Sequence, residues 1–165
     1  MTHRPDKKTL LRLQFLARVI HKECRHLMTT DQRLFNHQFD VERAAQLDLN
    51  PALSEQVEAF VGRFSRLQDT IADKLLPLFL VALGEKTGVV IDNLDKAERL
   101  GWLISVDEWM SMRQIRNQMV HEYVEDLALL VGALQSAHLF VETMTDTANK
   151  LLSELEKRGW LENSG

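Results

Sequence analysis

The chain has 165 residues, enough for one domain of ordinary size and a sizeable core. It is 45% hydrophobic and 27% charged, with seven Gly and three Pro, which excludes disordered, collagen-like and loop-rich β architectures. A single Cys excludes an internal disulfide or a multi-cysteine zinc site and fits a reducing, cytoplasmic setting. The net charge of −4 is uneven: residues 1–28 carry seven Lys or Arg against two acids, a net +5, and the remainder is −9. Such a segment meets phosphate, docks on the acidic body or is simply solvated.

Residues 1–8 are polar and do not read as a signal-peptide core. Asp6 is placed to cap a first helix, whose seam is Leu10, Leu13, Ala17, Ile20, Cys24 and Leu27. The pattern is weak over 29–50, with one short helix expected near 39–48. Asn50-Pro51 reads as an N-cap and first helical residue. Val57, Phe60, Phe64, Leu67, Ile71 and Leu75 continue the helical spacing. Pro77 removes the amide that would reach the Asp73 carbonyl, so a kink or stop is expected there. The longest apolar run, 75–83, falls well short of the ~18 residues a membrane span needs, which predicts no membrane association.

A loop at 84–88 leads to a short helix with Val90, Leu94 and Ala97 on its apolar face and Gly101 beyond its end. Ser105 and Glu108 have the spacing of a reciprocal capping box. The last helix keeps a heptad rhythm through Leu127, Leu130, Leu134, Ala137, Val141, Met144, Ala148, Leu151 and Leu155, ending at Gly159. These elements predict a single all-α domain over 1–165, an antiparallel bundle of four long helices plus one or two short helices.

No glycine-rich phosphate loop, HExxH pair or GxSxG elbow is present. His21, Cys24 and His26 do not assemble a metal-ligand spacing and read as surface histidines and a core cysteine. The stretch from Arg113 to Tyr123 differs. Its core is Arg116-Asn117, three residues, His121, one residue, Tyr123. Arg-Asn-xxx-His arises by chance in roughly one chain in a hundred of this length. At about 100° per residue, Arg113, Arg116, Asn117, Val120, His121 and Tyr123 share an arc of about 160°. A solvated face or an ion-paired structural cluster is the plain account of such a group.

The chemical account is cleavage of an RNA phosphodiester. A neutral His121 takes the 2′-hydroxyl proton near pH 7. Arg116 holds the phosphate and neutralises growing charge, and Arg113 lies on the same face. Asn117, four residues before His121, is placed to orient the imidazole. No metal or other cofactor is required by this set. One histidine is a short acid–base supply, and a two-fold dimer brings a second.

Arg116-Asn117-xxx-His121-x-Tyr123 resembles the signature of HEPN domains, and the His-x-Tyr extension is similar to the HepT-like branch. The likeness spans residues 55–155. It implies a helical bundle that dimerises around the motif, and a metal-independent endoribonuclease with Arg116 and His121 as the catalytic pair. It further implies a toxin partnered by a nucleotidyltransferase antitoxin of the MNT class, which adds AMP at Tyr123. Asp69 and Asp73, before Pro77, are candidates to orient Arg116. The alternative is a non-catalytic accessory subunit that binds a nucleotide or the nucleotidyltransferase.

Overall fold

The computed structural model describes residues 4–121 and 126–161, all helix or short connection. Helix α1, Lys7–Leu34, starts where the Asp6 carboxylate accepts from the Thr9 amide at 2.8 Å. It runs past the predicted seam because Thr30 and Leu34 keep the buried stripe going through an otherwise polar stretch. A short α2, Val41–Ala44, is capped by Asp40. Helix α3, Pro51–Asp69, opens as predicted, with Asn50 Oδ1 accepting from the Leu53 amide at 3.1 Å and Pro51 at the start.

Pro77 neither stops nor breaks this helix. The chain passes from α3 into one π-helical turn, Thr70–Leu75, and on into α4, Leu76–Ala82. The Leu76 amide bonds to the Ile71 carbonyl five residues back. The widened register leaves Pro77 in the first turn of α4, where a missing amide costs little.

Helix α5, Val90–Arg99, ends on Gly101, whose φ of 79° lets its own amide reach Glu98 and the Trp102 amide reach Ala97. That turn lays Trp102 flat on Phe79, ring centres 4.2 Å apart. Helix α6, Val106–His121, begins with Ser105 Oγ accepting from the Glu108 amide at 3.1 Å. The return arm differs from the expected box. The Glu108 carboxylate accepts from Thr143 at 3.4 Å, and Glu98 takes the Val106 amide of the first turn at 3.0 Å. Helix α7, Leu127–Lys157, is capped by Asp126.

Contacts fix the directions. Glu23 meets Thr70 and Thr30 meets Arg63, so α1 and α3 run antiparallel. Gln14 reaches Trp160 and Asp31 reaches His138, so α7 is antiparallel to α1. Asp69 and Asp73 meet Arg116 and Arg113, so α6 is antiparallel to α3. Among the described residues the result is an all-α helical bundle of four long rods with two short helices, α2 and α5. Val57, Phe60, Phe64, Leu67, Ile71 and Leu75 are buried without exception. Each contributes about 1.5–3 kcal/mol by leaving water. By length and composition alone α7 is apolar enough to cross a membrane. In the bundle its stripe from Leu130 to Leu155 packs on protein.

Candidate functional site

The predicted arc lies on α6 facing the end of α3. Trp109, Met112 and Met119 are buried on the stripe of α6 that Arg116 continues, so Arg116 is half-buried at the edge of the core, Arg113 is half-buried beside it and Asn117 is exposed. Arg116 does not point freely into solvent. Its Nη2 donates to Asp69 Oδ2 at 2.9 Å, and its Nη1 donates to Asn117 Oδ1 at 3.2 Å. Arg113 Nη1 lies 4.0 Å from Asp73 Oδ1. Two arginines one turn apart on α6 thus face two aspartates on either side of the start of the π turn. Asp69 and Asp73, flagged in the sequence as candidates to orient Arg116, divide the work: Asp69 holds Arg116 and Asp73 faces Arg113.

These pairs are partly exposed, with 29% of the Arg116 side chain and 40% of that of Asp69 in contact with solvent. They contribute roughly 0–1 kcal/mol each to stability. Their effect is geometric. A guanidinium has five donors, and two are committed here. Among the described residues the Nε of Arg116 is buried without a hydrogen-bond partner.

Among the described residues several buried polar groups near α3 and α6 lack partners. Both amide atoms of Gln68, next to Asp69, are buried and unpartnered, although Gln68 is only 2% exposed. The indole nitrogen of Trp109, two turns before Arg116, is in the same state. On the α1 side Thr70 donates to Glu23 Oε1 at 3.0 Å, while Glu23 Oε2 is buried and unpaired. Burial pushes the Glu23 carboxyl above the ordinary glutamate range, against the Thr70 hydrogen bond and the nearby Arg66 and Lys74.

The remaining candidates divide. Asn117 Oδ1 accepts from Arg116, and the expected contact of Asn117 with His121 lies outside the described residues. His121 closes α6, and its side chain, with Tyr123, lies outside the described residues. His21 and His26 are exposed, and burial pushes the Cys24 thiol up to about 11, which keeps it from acting as a nucleophile. Among the described residues no group of three or more His, Cys, Asp and Glu could hold a metal.

A second polar pair escaped the sequence reading. His138 Nδ1 lies 2.7 Å from Asp31 Oδ1, and the imidazole stacks on Phe35 with ring centres 4.2 Å apart. Burial raises the Asp31 carboxyl, and the His138 contact opposes that shift. The only sequence signal was a histidine interrupting the apolar side of the last helix. Compared with protein-family models, with curated proteins and with solved structures, the chain matches none.

Proposed function

We propose that this protein is a metal-independent endoribonuclease that works as a homodimer, the toxin of a HepT/MNT-type pair. The observation that carries the reading is the Arg116-Asn117-xxx-His121-x-Tyr123 run, with Arg116 on α6 held by Asp69 and Asn117. In this reading Arg116 grips the phosphate, and its fixed orientation lowers the reorganisation needed as charge grows. His121 accepts the 2′-hydroxyl proton. The 2′-oxygen bonds to phosphorus, and the 5′-oxygen leaves with a proton from an acid, supplied by the histidine of a second copy. The products are a 2′,3′-cyclic phosphate and a 5′-hydroxyl. Arg113, held less closely by Asp73 at 4.0 Å, assists with charge.

The partner is an MNT-class nucleotidyltransferase antitoxin. AMP on Tyr123, two residues beyond His121, would crowd this face and occupy Arg116. The reading puts the protein in the cytoplasm. The −9 balance outside residues 1–28, which disfavours polyanions, instead favours the accessory-subunit alternative, in which the face binds a nucleotide or the nucleotidyltransferase without cutting RNA.

The test is cleavage of RNA in EDTA by wild type beside His121→Ala, with product ends analysed. Cleavage by wild type alone, leaving cyclic or 3′-phosphate ends, is expected. Silence from protein with unmodified Tyr123 transfers the assignment to the accessory subunit.

A further inference from the structure

An open groove of about 360 Å³ runs between the start of α1 and the π turn with α4. Arg12 and Lys74 line it from opposite sides, and Pro77 and Val81 form an apolar wall. Asp73 stands in its lining and lies 4.0 Å from Arg113, so this carboxylate borders both the groove and the Arg113–Arg116 face. Arg12 sits over the ring of Phe15, guanidinium carbon 5.5 Å from the ring centre, and Phe15 is 46% exposed although it is a large aromatic. Arg12 belongs to the +5 segment at the start of the chain.

From these features we infer that the groove is a binding track for single-stranded RNA flanking the cleaved bond. Arg12 and Lys74 contact backbone phosphates, and a base stacks on Phe15 at the groove's edge, beyond Arg12 and outside the lining itself. Cations spaced across a groove beside an exposed aromatic are the pairing that holds single strands, because phosphate supplies charge and every base has a stacking face. RNA as the occupant rests on the ribonuclease reading. The groove gives a chain of net charge −4 a local place for phosphate, since Arg12 of the basic segment and Lys74 line it, against the one acid Asp73.

The test uses the wild-type protein and a fluorescent 2′-O-methyl oligouridylate. This probe lacks the 2′-hydroxyl and cannot be cut by the proposed route, so binding is read apart from cleavage. Anisotropy titrations over a salt series compare wild type, Arg12→Ala/Lys74→Ala and Phe15→Ala. The double variant is expected to lower the slope of log affinity against log salt by about 1.4, at about 0.7 per phosphate contact. Phe15→Ala is expected to weaken binding roughly five- to hundredfold with the salt slope kept. With ordinary RNA, both raise KM and leave kcat in place.

Wild-type cleavage with unchanged binding and KM in the variants overturns the groove and leaves the ribonuclease reading standing. Loss of probe binding in the variants of a protein that never cleaves supports the groove and overturns the ribonuclease reading. Failure of the wild-type protein to bind the probe overturns the groove. A changed mass by light scattering with RNA binding intact makes the groove a protein contact, and the proposal falls.

Discussion

The two faces of the α3 rod are built to different standards. Its inner face, Phe60, Phe64, Leu67 and Ile71, is buried and carries no polar side chain. Its α6 face ends in Gln68, Asp69 and Asp73, where amide atoms go unpartnered and charges meet across partly exposed pairs. An unpartnered buried amide costs roughly 1–3 kcal/mol, so the second face gives up stability that the first supplies. Such local losses concentrate where a surface has work other than holding the fold. The π turn lies at the same point, a feature frequent at functional sites.

The comparison breaks most visibly at the inner face. Phe64→Ala is expected to lower the unfolding free energy by about 3–5 kcal/mol, read by urea denaturation. A loss below about 1 kcal/mol would mean that this face is not the structural one. Arg116→Ala inverts the pattern. Cleavage is expected to fall by roughly 10²–10³-fold, while stability falls by no more than about 1 kcal/mol.

Gln68→Met sharpens the contrast with a gain. It replaces two unpartnered polar atoms by an apolar group of similar shape. The expected stabilisation is about 1 kcal/mol, a rise of roughly 2–4 °C in Tm by calorimetry. A fall in Tm would show that the amide has partners in solution.

The smallest effect is the pH dependence of the buried carboxyls. Glu23 and Asp31 are both held above their ordinary ranges, mainly by burial. The fold therefore binds their protons more readily than the unfolded chain does. Their stabilising contribution is complete below the ordinary carboxyl range and is lost as pH rises through the raised values. Glu23→Gln and Asp31→Asn should each flatten that decline in unfolding free energy against pH. An unchanged slope would mean these groups titrate as they do when unfolded.

Much of this contrast is written in the sequence. The seam from Val57 to Leu75 repeats at 3.6 residues, and burial follows that period. Asp6, Asn50 and Ser105 announce helix starts because a cap is a local bond. Arg116 follows Met112 and precedes Met119 at helical spacing, so it continues their buried stripe and is half-buried, while Asn117 beside it is exposed. The π turn was hidden, since a proline states only that an amide is missing and leaves open how the helix absorbs it. The Arg116–Asp69 pair joins residues 47 apart; Asp69 stood among the candidates to orient Arg116, but no local period tells it from Asp73, which faces Arg113. Gln68 gave no sign because a glutamine beside charged neighbours reads as surface. Its burial comes from the way α6 lies against α3.

The central claim is that the α6 face of this bundle is kept for chemistry and not for the fold. Cleavage of RNA in EDTA and urea denaturation of Arg116→Ala, run on one preparation beside wild type, test it most directly. The account predicts a variant nearly as stable as wild type whose cleavage is reduced by at least about 10²-fold. A variant that cuts as fast as wild type, or one that loses several kcal/mol of stability, would contradict it.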